Sequence, residues 1–566
     1  MIFGRLGRCL RRRMQGCRPA ASRRGFGALE ISDRLLADRF AAGEGCRAAA
    51  EDSEPSSCRN GTNTLLLAGS FTNPFSYRAA GNRTSCRRNP VGRGVIPNVI
   101  VIFVTMKQAV TPLRLGSDRI SSLLVRYAIP SIIAMTSSSL YNIVDSIFIG
   151  HGVGPIAISG VALSMPLMNI ASAFGSLIGI GAAALTSIRL GQGRREAAEG
   201  VLGNVVLLNF LVAALFTAVG LLLLDPILCF FGASDATIGY ARDFMQIILG
   251  GTIVTHMYLS LNEVIRASGY PRRAMTIMLT AVVLNCLLNP LFIFGFGWGI
   301  RGSAAATVLA QVAALSVSLI HFSSRGSFIR FERGIFRLQA SVVGKIFSIG
   351  MASFLLHLCA SAVVIVVNKS LREYGGDVAI GAYGIIYRVA MLFLMIVSGL
   401  NQGMQPIVGY NYGARRYDRV LKVLRQTVVC AVCVTTTGFL LGQLFPRQVA
   451  MLFVDAADGA GAERMISTAA EGLRIVLCVF PIVGFQIVTS NFFQYIGKPH
   501  KAIFLSLTRQ MLFLIPLLLV LPPHLGTLGV WMSMPIADGT ASLLAAVLLF
   551  YQVRKFRHRP HAERSI

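Results

Sequence analysis

The sequence predicts an all-α polytopic membrane protein, with twelve transmembrane helices in two six-helix lobes related by a pseudo-twofold axis along the membrane normal. Three observations carry this expectation. Hydrophobic residues make up 54% of the 566 residues and charged ones 14%, with a mean hydropathy of +0.63, more apolar surface than a soluble globule covers. Apolar runs long enough to cross a bilayer recur along the chain. The second group of runs repeats features of the first.

The runs fall at about 123–149, 156–188, 201–224, 237–265, 274–297, 303–323, 342–368, 379–409, 427–445, 466–496, 502–521 and 527–551. The longer ones imply tilt or bending. Their connections alternate in charge. Lys107, Arg114, Arg119 and Arg126 introduce span one, and Arg189, Arg194 and Arg195 follow span two. Arg266, Arg272 and Arg273 follow span four, and Arg325, Arg330, Arg333, Arg337 and Lys345 surround the connection after span six. Later even-to-odd connections carry Arg415, Arg416, Arg419, Lys422 and Arg425, then Lys498, Lys501 and Arg509, and the tail adds Arg554, Lys555, Arg557, Arg559 and Arg564. The opposite connections are almost bare, so both termini are expected on the cytoplasmic side. This alternation accounts for the net charge of +28, and no basic stretch is interleaved with stacking aromatics, which excludes nucleic acid as a partner.

The first 105 residues differ in kind. They hold 17 Arg, no Lys, 7 acidic residues and five of the eleven cysteines, without sustained apolar periodicity. They are expected to be an unstructured or spurious extension, with the working protein beginning at Met106. The domain plan is then a lobe over 115–324, a basic linker over 325–341 carrying an amphipathic surface helix, a lobe over 342–553 and a basic tail over 554–566. The remaining cysteines lack metal-site spacing and read as small core residues.

The duplication aligns without gaps. "IAISGVALSMPLMNIASAFGSLIGIGAAALTSIRLGQGRR" from Ile156 matches "VAIGAYGIIYRVAMLFLMIVSGLNQGMQPIVGYNYGARRY" from Val378, a shift of 222 that pairs Gly181 with Gly403 and Gly191 with Gly413. "ASGYPRRA" matches "YIGKPHKA" at a shift of 228, pairing Gly269 with Gly497 and Pro271 with Pro499. Each half has an even number of spans, so both lie in the same orientation, an arrangement typical of transporters with a central site between two lobes.

Ionisable residues within spans are costly and mark functional candidates. They are Asp145, Glu263, Arg388 and Asp538. Ser138, Tyr141, Asn142 and Asp145 give span one a polar face that would be costly against lipid. Asn285 and Asn289 share a face of span five, and Pro290 frees backbone carbonyls beside them. Glu263 has two readings, a second carboxylate for the same site or an ion pair with Arg266 three residues on. Arg388 reads as a helix anchor rather than a cation repellent. Asp538 corresponds by repeat to Gln311 and has no evident partner. Pro130 offers span one a hinge.

"QGMQPIVGYNYGARRYDRV" after span eight, "LNCLLNPLFIFGFGWGIRGSAAAT" across spans five and six, and "YNIVDSIFIG" in span one closely resemble the multidrug and toxic compound extrusion (MATE) exporters, over about residues 115–550. The resemblance is greatest to the bacterial MepA-like branch. It implies a V-shaped pair of lobes in the lipid bilayer of a bacterial inner membrane, small-molecule drugs or toxic metabolites as partners, and export of amphipathic, often cationic, compounds against H+ or Na+. It also implies a cation site in the first lobe at Asp145, Asn285, Asn289 and Thr307. Asn289 departs from the family pattern, which has a carboxylate there, so the site carries at most one negative charge and one proton or one Na+ neutralises it. Hydroxyl and amide oxygens beside one carboxylate suit a hard cation, and Asp145 alone suits a proton. Gln402, Gln405, Pro406, Asn411 and Gly413 match the family signature, with Pro406 expected to bend the span and Asn411 and Gly413 to close the turn after it. Tyr141, Met165, Met168, Phe174 and Met391 are the expected substrate contacts. A monomer without a cofactor is expected.

Competing classes are weaker. A lipid-linked oligosaccharide flippase of the same superfamily would have a more charged cavity. A membrane-embedded enzyme binding metal and diphosphate would need paired Asp-rich or His clusters, whereas the eight His are scattered. A filter-like loop and a nucleotide-binding loop are both missing, which disfavours a channel and ATP as the energy source.

Overall fold

The computed structural model describes residues 114–332, 334–454 and 460–558. The expected extension over 1–105 and the tail beyond His558 lie outside these residues. The described chain is helical throughout and contains ten unbroken helices long and apolar enough to cross a membrane, or twelve spans if each of two bent helix pairs counts as one. They are α1 (Ile120–Gly152), α2 (Pro155–Gly191), α3 (Arg195–Leu222), α4 (Ile238–Gly250 with Thr252–Ala267), α5 (Pro271–Gly295) and α6 (Gly299–Ser323). The second six are α7 (Ala340–Gly376), α8 (Val378–Gly413), α9 (Tyr417–Leu444), α10 (Gly461–Val476 with Phe480–Tyr495), α11 (Pro499–Leu525) and α12 (Thr527–Arg557).

The duplication is visible in the irregularities. The pieces of α4 meet at 53° and those of α10 at 56°, so the bending expected of the longer spans falls within 237–265 and 466–496. Gly250 and Gly251 make the first break, and Gly251 has no room for a Cβ, which would fall 2.5 Å from Val308. Pro481 stands in the first turn after the second break, where its missing N–H costs nothing. Both α5 and α11 contain a π-helical segment, Leu291–Gly295 and Thr508–Leu514. Pro290 immediately precedes the first, and the backbone hydrogen bonds it disrupts are retaken at longer spacing. Gly269 (φ 103) and Gly497 (φ 66) occupy the left-handed region just before Pro271 and Pro499 start their helices, so the paired Gly-x-Pro stretches are the same turn made twice.

The two halves exchange the ends of one helix each. The start of α1 packs in the second half: Leu123, Leu124, Tyr127 and Ala128 share a core with Met404 of α8, Val420 of α9 and Phe492 of α10. Reciprocally, Val342, Ile346 and Ile349 of α7 share a core with Ile178 of α2, Val201 of α3 and Leu261 of α4. Glycines make the crossing possible, because apolar helices in lipid gain from close backbone packing rather than from burial itself. A Cβ on Gly181 would fall 2.2 Å from Ile346 O, and one on Gly403 2.7 Å from Ala128 Cα. Between α2 and α8 the contact is self-matched. A Cβ on Gly191 would fall 1.9 Å from Tyr410 O, and one on Gly413 2.1 Å from Ile188 O.

The linker corrects an expectation. The described residues from Arg325 to Leu338 form no amphipathic helix. They are tied to the first half instead, with Phe331 N donating to Phe322 O at 3.0 Å and Gln339 N to Asn204 Oδ1 at 2.9 Å. Ile329 is fully buried there.

Candidate functional site

Asp145 stands near the far end of α1, away from the arginine-rich connections, and is half-buried. Its Oδ1 accepts hydrogen bonds from Asn289 Nδ2 and, at 2.9 Å, from Ser303 Oγ. One turn nearer the basic end, the Tyr141 and Thr307 hydroxyls are 3.1 Å apart, and Asn285 Nδ2 donates to Thr307 Oγ1 at 2.9 Å. One more turn along α6, Gln311 accepts from Thr255 Oγ1 of α4. Helical spacing builds this arrangement: Tyr141 and Asp145 on α1, Asn285 and Asn289 on α5, and Ser303, Thr307 and Gln311 on α6 are each four apart. Three polar stripes meet inside the first lobe.

The structure therefore brings together Asp145, Asn285, Asn289 and Thr307. Asn285, Asn289, Ser303 and Thr307 are all buried. Asn285 Oδ1 and Asn289 Oδ1 are buried without a hydrogen-bond partner, an expensive condition for carbonyl oxygens that a bound cation relieves. One carboxylate, two free amide oxygens and the Thr307 hydroxyl form an all-oxygen donor set that fits a hard monovalent cation, while Asp145 alone takes a proton. Ser303 was absent from the sequence reading. Its place four residues before Thr307 was the available signal, hidden among the small residues of "GSAAAT".

Glu263 does not join this cluster. It receives a hydrogen bond from Arg266 Nη1 at 3.2 Å, so the local ion pair is the correct reading of the two. Tyr141, expected among substrate contacts, has its hydroxyl in the polar cluster. Met165 is exposed and Met391 half-buried, whereas Met168 packs against the core beneath α2. Phe174 contacts Phe354 of α7 with centroids 4.9 Å apart, so it lies where the halves meet. The side chain of Asn142 lies outside the described residues.

The signature residues of α8 hold the two halves together. Gln402 Nε2 donates to Met135 Sδ of α1 at 3.5 Å, and Gln405 Nε2 to Ile180 O of α2 at 3.4 Å. Asn411 Nδ2 donates to Leu115 O at 3.1 Å, just ahead of α1, and accepts from Arg419 Nε at 3.0 Å. Pro406 lies within α8, which continues to Gly413. The turn after α8 is made by Arg415 at φ 57, not by Gly413, which is required for its close approach to α2. Asp538 gains a partner: Arg509 Nε of α11 lies 2.7 Å from its Oδ1. Arg388 has no hydrogen-bond or ion-pair partner among the described residues.

Comparison with known proteins places these features in context. The family model described as MatE matches residues 130–291 and 349–520. The multidrug export protein MepA of Staphylococcus saprophyticus is 25% identical over 438 residues, covering 76% of this chain and 93% of its own. The protein of the same name from Staphylococcus aureus strain N315 is 26% identical over the same lengths. Among solved structures, an outward-facing conformation of a multidrug resistance MATE family transporter superposes with a TM-score of 0.74 at 23% identity, covering 80% of this chain and all of that one. A MATE structure in the bent conformation superposes equally well, covering 80% and 99%.

Proposed function

The chain belongs to the MatE family, and from that premise we propose that it is a secondary active multidrug efflux antiporter, exchanging H+ or Na+ for amphipathic organic compounds. The basic connections then face the cytoplasm, as the positive-inside rule requires. The observation that carries the coupling is the single carboxylate of Asp145, held by Asn289 and Ser303 beside two unpartnered amide oxygens. The two donors on Oδ1 serve the anionic carboxylate. Arrival of one proton or one Na+ removes the charge those donors serve, and the hydrogen bonds tying α1 to α5 and α6 are rearranged.

Helix α1 is suited to pass that change on. Its outer part is tied to the first half through Asp145 and Tyr141, while its basic end packs in the second half. Pro130 lies within the stretch attached to the second half, which runs on to Ile132 and Met135, and leaves a carbonyl free of its usual partner. A shift at Asp145 therefore alters the angle between the halves, and the ion and the drug compete through that angle.

The test is dye efflux from everted vesicles under imposed pH or Na+ gradients. Asp145→Asn should lose gradient-driven efflux by about two orders of magnitude, the scale lost with an essential proton-transfer group, while the protein remains folded in the membrane. Efflux equal to wild type under both gradients would falsify the assignment.

A further inference from the structure

Arg388 is exposed in the third of α8 that lies away from the basic end, ten residues after Val378, without a hydrogen bond or ion pair among the described residues. The carboxylates buried in the spans are engaged elsewhere, Asp145 by Asn289 and Ser303, Glu263 by Arg266 and Asp538 by Arg509. An unpaired guanidinium within a span faces protein or water, not hydrocarbon.

The direction follows from the helix. Core-facing residues of α8 are Ile386, Val389 and Phe393 in one cluster and Val397 in the next. The opposite side, through Gly399, Gln402, Gly403, Gly409 and Gly413, meets α1 and α2. Arg388, Met395, Gln402 and Gly409 succeed one another at steps of seven, two helical turns, so Arg388 continues the row that faces the other half. It lies about 21 Å beyond Gln402 toward the far end, at 1.5 Å per residue. The contacts joining the halves lie nearer the basic end, at Gln402–Met135, Phe174–Phe354 and Ser176–His357.

The repeat sharpens the point. Tyr387, Arg388 and Met391 correspond to Met165, Pro166 and Asn169 of α2. Met165 and Tyr387 are 42% and 43% exposed, so the two walls are presented alike. Only the second carries a charge. Tyr387 in addition leads a ladder of rings, 6.1 Å from Tyr383, which stacks 6.3 Å from Trp531.

We propose that Arg388 recognises a carboxylate or sulfonate on the exported compound, whose aromatic body lies against Tyr387 and Met391. The proposal rests on the exporter reading above and names the charge of its substrate. The guanidinium fork pairs with such a group through two parallel hydrogen bonds, and the flanking tyrosine and methionine supply adaptable apolar contact. A permanent positive charge on this wall also repels purely cationic compounds.

Dansylglycine and dansylcadaverine share a fluorophore and carry opposite charges, so they isolate this effect. Binding is read on purified protein by energy transfer from Trp531, with Trp298→Phe removing the chain's only other tryptophan. Transport is read in phosphatidylcholine liposomes under proton and Na+ gradients. Arg388→Gln should raise the half-saturating concentration of dansylglycine about tenfold, the effect of one ion pair, and leave dansylcadaverine unchanged or tighter. Arg388→Lys should recover part of the loss. Equal effects on both dyes, or none, overturn the proposal. Wild-type export of dansylcadaverine alone overturns it and leaves the exporter reading standing, whereas export of neither dye under either gradient sinks that reading itself. Added phosphatidylglycerol should not displace dansylglycine; displacement that Arg388→Gln abolishes would assign the arginine to a lipid headgroup and overturn the proposal.

Discussion

The hydroxyl of Ser303 is one of two donors on Asp145 Oδ1, and its removal deletes no volume beyond one oxygen. A hydrogen bond to a charged group contributes about 1.5–3 kcal/mol, and this one favours the empty anionic site. Ser303→Ala should therefore lower the cation concentration for half-maximal efflux, by about tenfold at the weak end of that range, with drug affinity unchanged. A rise in that concentration would show instead that the serine oxygen is a ligand of the ion. Arg415 gives a second residue-scale prediction. It holds φ 57 where the first half has Gly193 at φ 74, the same turn 222 residues earlier. A left-handed conformation costs an L-residue about 1 kcal/mol, so Arg415→Gly should raise the thermal unfolding midpoint and Gly193→Arg should lower it. At this scale the four matched site residues were legible because they combine polarity with helical spacing in apolar spans. Ser303 was not, because one small hydroxyl among alanines leaves no distinct periodic trace, and Arg415 was not, because nothing in its side chain announces a left-handed backbone.

Elements were legible where hydropathy decides them and illegible where backbone geometry does. The twelve runs are the twelve spans, since apolar length alone places a helix across a membrane. Bending of the longer spans was expected, but its places in α4 and α10 escaped because Gly250, Gly251 and Pro481 interrupt the helix without interrupting the apolar run. An amphipathic surface helix was expected in the basic linker, yet Asn204 and Phe322 bind its backbone and hold it irregular. Between α11 and α12, Arg509 and Asp538 form a half-buried pair that the sequence did not connect, since 28 intervening residues separate them by no fixed period. Removing one partner of a buried pair costs about 3–5 kcal/mol, whereas replacing both with apolar residues is near neutral. Arg509→Met should thus cut folded protein in a thermal-melt assay far more than the double variant Arg509→Met with Asp538→Leu. Equal losses would mean the pair contributes through packing alone.

For the whole molecule, the duplicated sequence becomes a duplicated contact. Gly191 and Gly413, matched at 222 residues, each receive the other half's backbone, Tyr410 O against the first and Ile188 O against the second. Gly181 meets α7 as Gly403 meets α1, which are themselves counterparts. Alignment predicted the pairing but not the partners, because a shift between two stretches says nothing about which face of each is turned to the other. The geometry makes this seam the closure of the basic end. A methyl group at Gly191 or Gly413 would fall about 2 Å from a carbonyl oxygen, inside any permitted contact, and backbone cannot yield as a flexible side chain does. The helices must then separate. Gly191→Ala and Gly413→Ala should each favour the conformer in which the basic end is open, and by symmetry the two should do so to a similar extent. Spin labels at Gln192 and Ala414, in a background without other thiols, would report this as a longer distance in both variants, together with reduced efflux. An unchanged distance in protein that remains folded would show that the seam tolerates the methyl groups and does not govern closure. A change in one variant alone would show that the two halves, though built from one repeat, do not share the contact equally.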